Sequence, residues 1–135
     1  MNTMNVNIVT PNGSVYNQDN VEIAILQTVG GDIGVMYGHI PTVTAIKTGY
    51  VKVHYTDGIE FIAVSDGFVE IRQESTSIIV QTAEKAADID VKRARSAKER
   101  AESHLNNNDE DTDINRAERA LERAENRIKV SEMEE

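Results

Sequence analysis

The sequence contains no cysteine and no tryptophan, and only two of its 135 residues are proline. Without cysteine the chain can form no disulfide, thiolate metal site or cysteine nucleophile, and we expect an intracellular protein. The N-terminus has neither the basic nor the apolar segment of a signal peptide. No apolar run approaches the ~20 residues that span a bilayer, so we expect a protein that is soluble or peripheral to a membrane.

Positive charge is also scarce, because 14 Lys and Arg stand against 23 Asp and Glu, for a formal net charge of −9. Residues 1–84 hold three basic and nine acidic residues, whereas residues 85–135 hold eleven and fourteen. Nucleic-acid binding needs a net basic face, so we expect no nucleic-acid partner. Most of the positive charge lies in the C-terminal part.

Glycine, proline and aromatic residues are all absent after Phe68. Up to that point turn formers alternate with β-branched and aromatic runs, which is typical of a sheet. The C-terminal part is rich in Ala, Glu, Arg, Lys and Asn, which favour helices and solvent. This shift in composition predicts two domains, residues 1–84 and residues 85–135.

The N-terminal part contains eight short apolar or alternating runs that read as strands. They are Val6 to Val9, Val21 to Leu26, Ile33 to Met36, Thr42 to Ile46, Tyr50 to Tyr55, Glu60 to Val64, Phe68 to Arg72 and Ser77 to Val80. The Asp-Gly pairs at residues 57–58 and 66–67 predict hairpin turns with positive φ. With no helix between the strands, the pattern predicts a small antiparallel β-sandwich or barrel.

In the C-terminal part the apolar period lengthens to three or four residues, which predicts two helices in an antiparallel hairpin. Asp88 or Asp90 caps the first helix, and residues 106–109 end it; residue 111, 112 or 113 caps the second. The two apolar columns are Val91, Ala94, Ala97, Ala101, Leu105 and Ile114, Ala117, Leu121, Ala124, Ile128. Because alanine buries little apolar area, we expect weak packing and a tail that can open.

Four arginines share one face of the second helix: Arg116, Arg119, Arg123 and Arg127. At spacings of three and four they repel each other, so the row favours an external anion. The alternative is a solvated face on which neighbouring glutamates pair with them. Arg93, Arg95, Lys98 and Arg100 add charge from the first helix, so a polyphosphate or an acidic protein surface could bind between the arms.

No pattern in the sequence indicates catalysis or a metal site. His39, His54 and His104 are scattered, without metal-ligand spacing or a triad arrangement. Residues 109–120 superficially resemble a calcium loop, but Ile114 and Ala120 replace the required Gly and Glu. The glycines at residues 30–34 precede no helix and no lysine, so they indicate a sheet turn and not a phosphate loop.

Short motifs along the whole chain resemble the epsilon subunits of bacterial F-type ATP synthases. The most specific is Ile89-Asp90-Val91-Lys92-Arg93-Ala94, which fits that family's Ile/Leu-Asp-x-x-Arg-Ala nucleotide motif at every fixed position. The others, in chain order, are Thr10-Pro11 with Gly13, Gly34 with Gly38-His39-Ile40-Pro41, and Asp66-Gly67. In this order and at these places the motifs are specific together.

The resemblance implies a non-catalytic rotor subunit of the central stalk, at the cytoplasmic face of the bacterial cell membrane. The β-sandwich would bind the gamma subunit and rest on the membrane proton ring, coupling rotation to catalysis elsewhere. In the family the loop that contains Ile33 to Pro41 lies toward the ring and gamma. The implied interface residues are Ile33, Gly38, His39, Ile40 and Pro41.

The resemblance also implies that the helical tail regulates the complex. Extended along gamma, the tail would set basic residues against the catalytic beta subunits and inhibit ATP hydrolysis; folded as a hairpin, it would release them. In several relatives ATP binds the folded form as a regulatory ligand, and no cofactor is required. The implied ATP-binding residues are Ile89, Asp90, Arg93, Ala94, Arg123 and Arg127, with Glu84 as a further candidate near the base.

Two other functions are compatible with a sheet domain and a helical arm. A stand-alone protein-binding module would have the same fold, but it leaves the motif at residues 89–94 unexplained. A nucleotide hydrolase is disfavoured because no general base, metal cluster or nucleophile is assembled. Gamma as the main co-purifying partner, or steady phosphate release by the pure chain, would distinguish them.

Overall fold

A computed structural model describes residues 2–107 and 113–133. In the described residues eight strands precede two helices, with a short 3-10 helix at Ala86–Asp88 between them. The strands are β1 (Met4–Thr10), β2 (Gly13–Thr28), β3 (Gly31–Val35), β4 (Thr42–Tyr55), β5 (Gly58–Val64), β6 (Gly67–Ile71), β7 (Ser75–Val80) and β8 (Ala83–Lys85). The helices are α1 (Val91–Asn107) and α2 (Ile114–Ser131).

The strands form one sheet in the order β3-β2-β1-β7-β6-β4-β5-β8, and a further pairing of β2 with β4 closes it into a barrel-like sandwich. This confirms the predicted N-terminal β-sandwich or barrel followed by a helical hairpin. One pair departs from the antiparallel prediction, because β1 and β7 run parallel from Asn5 beside Ser75 to Val9 beside Ile79. Parallel neighbours need a long connection, which β2 to β6 supply.

The bend in β4 joins the two layers of the sandwich. Its first part, Thr42 to Ile46, pairs with β6, and its last part, Gly49 to Tyr55, pairs with β5. The two runs predicted as separate strands are therefore one strand that changes layers. Local periodicity does not reveal this, because the residues at the bend resemble a turn.

The two Asp-Gly pairs behave differently from each other. Residues 56–57 connect β4 to β5 as a hairpin, as predicted. Residues 65–66 form no hairpin, because β5 pairs with β4 and β8 while β6 pairs with β4 and β7. Among the described glycines only Gly13, Gly31 and Gly38 have positive φ, so the prediction of positive φ at Gly58 and Gly67 was wrong.

Alternating side chains of the strands fill a single core inside the sandwich. Its largest fully buried members are Ile8, Leu26, Ile62, Ile71 and Ile78. A second, smaller cluster lies outside the sandwich, where Val130 of α2 packs with Ala63 and Ile89, flanked by Tyr50 and Phe61. This second cluster holds the helical hairpin against the sheet.

Aspartate side chains begin both helices. The Asp90 Oδ1 accepts a hydrogen bond from the Arg93 amide at 3.0 Å, and the Asp113 Oδ1 accepts one from the Arg116 amide at 3.0 Å. Ala94, Ala101, Ala117 and Ala124 are buried between the helices, as their columns predicted. Ile114 was also assigned to the column but is exposed. The predicted end of α1 at Asn108 and Asp109, the alternative caps at 111 and 112 and the first four residues of the calcium-like segment lie outside the described residues.

Candidate functional site

A cleft of about 320 Å³ lies where the two helices meet the sheet. Its floor comes from the end of β5, with Ala63 to Ser65, and from the segment Thr82 to Glu84. One wall is the first half of α1 and the other is the second half of α2. The volume is at the lower end of the range for small-molecule sites.

Four arginine side chains line this cleft: Arg93 and Arg100 from α1, and Arg123 and Arg127 from α2. The only acidic residues among the lining residues are Glu84 and Asp90. The Nε atom of Arg127 lies 3.8 Å from the Glu84 Oε1, at the outer limit of an ion pair. Within residues 2–107 and 113–133, no ion pair is formed by the other three. The cleft therefore suits an anion with several oxygen atoms.

Asp90 caps α1 and retains a second carboxylate oxygen that could bind a ligand. One of its carboxylate oxygens caps α1, and its carbonyl accepts the Ala94 amide at 3.0 Å. An ionised carboxylate has two oxygens, so the second can accept a hydrogen bond from a ligand. The cap fixes this second oxygen at the mouth of α1, beside Arg93.

Hydrogen bonds between Ser65 and Thr82 close the floor of the cleft. The Ser65 amide donates to the Thr82 carbonyl at 3.0 Å, and the Thr82 amide donates to the Ser65 Oγ at 2.9 Å. Ser65 is buried, and Ala63 and Val64 pair with Glu84 and Ala83. A ligand would therefore rest on backbone that is already paired, so the floor contributes shape and the walls contribute charge.

The structure places most of the residues implied for ATP binding around this one cleft. Those that line it are Glu84, Asp90, Arg93, Ala94, Arg123 and Arg127. Ile89 is not among the lining residues; it is buried in the second cluster beneath α1. Its side chain supports the turn into α1 and the docking of α2.

Arg100 and Asn126 also line the cleft but are not among the residues implied for ATP binding. Arg100 was predicted only as one of the basic residues of the first helix that could bind a polyphosphate or an acidic protein surface between the arms. Arg100 follows Arg93 by seven residues, which places both on one face of a helix, so spacing could have identified it. Asn126 gives no such signal, because its partner is the carbonyl of Gly49, 77 residues away. The arginine row on α2 divides, since Arg116 and Arg119 are exposed and do not line the cleft.

The residues implied for the interface lie on β3 and the loop that follows it. Gly38 has φ +87° and donates its amide to the Gln73 carbonyl at 2.9 Å. The His39 Nδ1–H donates to the Ile40 carbonyl at 2.7 Å, which fixes the tautomer of the ring. Ile40 is 78% exposed and Pro41 is also exposed, whereas Ile33 packs against the core from β3.

Apolar side chains surround this loop on the outside. Met36 before it and Val43 after it are exposed, so three large apolar side chains within eight residues face outward. Isolated exposed apolar residues are ordinary, but a group on one ordered loop indicates a contact surface.

No helix in the described part of the chain is long and apolar enough to cross a membrane. The described residues also contain no group of three or more His, Cys, Asp or Glu side chains arranged to hold a metal ion.

Family models match nearly the whole chain. Residues 3–86 match the model described as "ATP synthase, Delta/Epsilon chain, beta-sandwich domain", and residues 87–132 match "ATP synthase, Delta/Epsilon chain, long alpha-helix domain". The chain is 91% identical over 109 residues to the ATP synthase epsilon chain of Staphylococcus carnosus (strain TM300), which covers 81% of each protein. It is 68% identical over 134 residues to that of Staphylococcus aureus (strain JH9), covering 99% of this chain and 100% of the relative.

Two solved structures share the fold at low sequence identity. A chain of the Euglena gracilis mitochondrial ATP synthase OSCP/F1/c-ring structure aligns with a TM-score of 0.76 and 24% identity, over 93% of this chain and 79% of that one. A chain of the Tetrahymena thermophila mitochondrial ATP synthase central stalk/c-ring structure aligns with a TM-score of 0.60 and 13% identity, over 96% of each chain.

Proposed function

The chain belongs to the delta/epsilon family of ATP synthase, as a non-catalytic subunit, and on that premise we propose that it is a central-stalk rotor component whose helical hairpin senses ATP. In this proposal the β-sandwich binds the gamma subunit and the membrane proton ring and transmits rotation. The subunit is held at the cytoplasmic face of the cell membrane through the complex. The hairpin controls ATP hydrolysis by folding or extending.

The arginine-lined cleft is the observation that supports ATP sensing. A triphosphate would bind Arg93, Arg123 and Arg127 through charge-assisted hydrogen bonds, which are stronger than neutral ones. The second oxygen of Asp90 would accept a hydrogen bond from the base or the ribose. Ala94 would form a small apolar surface beside it, and Ile89 would support the turn from below.

Without ligand, Glu84 would be the acidic partner of Arg127, and a ligand phosphate would replace it. Its carboxylate is the nearest anion to Arg127, but the 3.8 Å separation and the exposure of both side chains make this a weak pair. A phosphate group that approaches Arg127 would replace a distant, hydrated partner with a direct one. Removing the Glu84 charge should therefore leave ATP binding in place.

Folding of the hairpin and binding would be linked because the cleft has walls from both helices and a floor from the sheet. Extension of the tail would separate these three elements and remove the site. A ligand present at one hundred times its dissociation constant stabilises the form that binds it by about 2.7 kcal/mol. For a hairpin packed largely through alanine, that is enough to shift the equilibrium toward the folded form.

Regulation of hydrolysis would use the two arginines of α2 that do not line the cleft. Arg116 and Arg119 are exposed near the start of α2, on the face that faces outward in the folded hairpin. In the extended form they would approach an acidic surface of the catalytic beta subunits. ATP binding to the folded form would oppose this contact and so relieve inhibition.

Calorimetric titration of ATP into the purified chain tests the sensing proposal. We expect saturable one-to-one binding that is weakened at least tenfold by Arg93→Ala or Arg127→Ala, since each loses a charge-assisted contact. Arg95→Ala on α1 and Arg116→Ala on α2 are matched controls, because both side chains are exposed and neither lines the cleft. Absence of binding at millimolar ATP would refute the sensing role.

The rotor role is tested at the loop of residues 38–41. Ile40→Asp places a charge on a side chain that is 78% exposed, so the fold should be retained while binding to purified gamma subunit weakens. Val15→Asp, at an exposed valine of β2 outside this loop, controls for the added charge. Equal gamma affinity for both variants and the parent chain would remove this loop from the interface.

A further inference from the structure

The bend in β4 leaves four of its residues without regular partners on β2. Val51 pairs with Leu26 and Ile46 pairs with Thr28, so residues 47–50 lie opposite the single residue Gln27. Such a bulge leaves backbone groups that need other hydrogen-bond partners. The bulge faces α2, because Thr48 lines the arginine cleft.

Gln27 holds this bulge in place. Its Oε1 accepts a hydrogen bond from the Tyr50 amide at 2.9 Å, replacing a missing ladder bond. The same side chain lies directly over Gly49, where any Cβ atom would collide with the Gln27 amide oxygen. The Tyr50 amide and the Gly49 carbonyl belong to one planar peptide unit, so the Gln27 hydrogen bond to the amide also fixes the direction of the carbonyl.

The Gly49 carbonyl accepts a hydrogen bond from Asn126 of α2. The donor is Nδ2, the distance is 2.8 Å, and the site is partly buried. Val130, one turn further along α2, is fully buried in the second cluster on the same side of the helix. A polar and an apolar contact therefore hold one face of α2 against the bend.

This face determines where the cleft arginines point. Arg123 and Arg127 are three residues before and one residue after Asn126, so rotation of α2 about its axis would move both. Ala117 and Ala124, buried against α1, allow such rotation because alanine side chains interlock weakly. The Asn126 bond is directional and opposes it.

We propose that Asn126 is a positioning residue: its bond to the Gln27-supported Gly49 carbonyl latches α2 to the sandwich and aligns Arg123 and Arg127 for the ligand. The expected effect of this latch on ATP affinity rests on the ATP-sensing role proposed above. The expected effect on the docking of α2 against the sandwich does not rest on that role. In the extended tail the bond between Asn126 and Gly49 would be absent.

The test uses Asn126→Leu in the full chain, which keeps the number and branching of the side-chain heavy atoms and favours helix but cannot donate a hydrogen bond. Hydrogen exchange of α2 amides is measured without nucleotide, and ATP affinity is measured by titration. Loss of one hydrogen bond predicts about fivefold faster exchange over residues 117–130 and about fivefold weaker ATP binding. Asn115→Leu, at an exposed asparagine on the same helix, should change neither.

Gln27→Leu disrupts the latch from the sandwich side, at a residue that does not line the cleft. It removes the acceptor for the Tyr50 amide, so the Gly49 carbonyl loses its fixed direction. We expect the same increase in α2 exchange, while β1 and β7, which do not touch the bend, keep their protection.

The outcomes separate the two proposals. Unchanged α2 exchange in both variants overturns the latch, whether or not the chain binds ATP. Faster exchange with unchanged ATP affinity overturns the alignment of the arginines. If the parent chain binds no ATP, the sensing role fails, but faster exchange in both variants still supports the latch.

Discussion

Two residues of the sandwich, Gly67 and Tyr16, show how single positions constrain the fold. A Cβ atom at Gly67 would collide with the backbone carbonyl of Ile79, which is fixed by the pairing of β6 with β7. Glycine is required there for close approach and not for a turn. Tyr16 is 95% buried, yet its hydroxyl has no hydrogen-bond partner among the described residues.

The buried hydroxyl of Tyr16 predicts a pH dependence of stability. Burial, with smaller contributions from Glu60 and Tyr55, raises the pKa of the Tyr16 hydroxyl above its ordinary value of 10.0. The unfolded chain therefore releases this proton first as the pH rises. Folding stability that is fully present below pH 10 should fall above it.

Tyr16→Phe removes both the titration and the unsatisfied group. We expect equal or greater stability at neutral pH, by up to about 1 kcal/mol, and a smaller loss above pH 10 than in the parent chain. Urea unfolding at pH 7 and pH 10.5 measures both. Tyr37→Phe, whose side chain is partly exposed, serves as the control. A parent chain and a Tyr16→Phe variant with parallel pH profiles would contradict the assignment.

At the scale of elements, the sequence predicted what local chemistry determines. Both helices begin at the predicted aspartates, and the alanine columns face each other because a period near 3.6 is a property of the helix itself. Ile114 was misassigned because it lies at the first residue of α2, where the other helix does not cover it. β4 was predicted as two strands because its continuity through the bend depends on pairing with β5 and β6, which local sequence patterns do not show.

Asp113→Ala tests the contribution of one cap to one helix. The Asp113 carboxylate satisfies the Arg116 amide, so its loss should cost about 1 kcal/mol and increase exchange in the first turns of α2. Asp113→Asn retains an acceptor and should be close to the parent chain. Equal exchange in all three proteins would show that the cap adds nothing to a helix already held by Asn126 and Val130.

The candidate site could be predicted only in part, for a reason that also lies at the element scale. Arg123 and Arg127 are one turn apart, and the motif at residues 89–94 starts a helix, so both are visible locally. That they face one cleft depends on how α2 sits on the sheet. Its contacts, Asn126 with Gly49 and Val130 with Ala63, join residues about seventy positions apart and leave no local pattern.

At the scale of the whole molecule, two separate hydrophobic clusters imply two separable units. Among the described residues, the core of the sandwich contains none from either helix, and Val130 is the buried helical member of the second cluster. The sandwich should therefore keep its stability when the hairpin undocks. This arrangement is compatible with the proposed function, in which the sandwich stays folded while the tail changes conformation.

Val130→Ser tests this independence. It replaces a fully buried side chain with a small polar one, so we expect undocking of the hairpin to become easier by about 2 kcal/mol. Exchange and tryptic cleavage at the arginines of α1 and α2 should accelerate, while protection of β1, β6 and β7 stays as in the parent chain. Val15→Ser, at an exposed valine of β2, should change neither.

If the sandwich loses protection together with the helices, the chain unfolds as a single cooperative unit. That result would contradict the independence of the two units, because the hairpin could then not undock without unfolding the sandwich. Protection lost in the helices alone would support the proposed function, because it would show that the sandwich stays folded when the hairpin undocks, as expected from a core that does not include Val130.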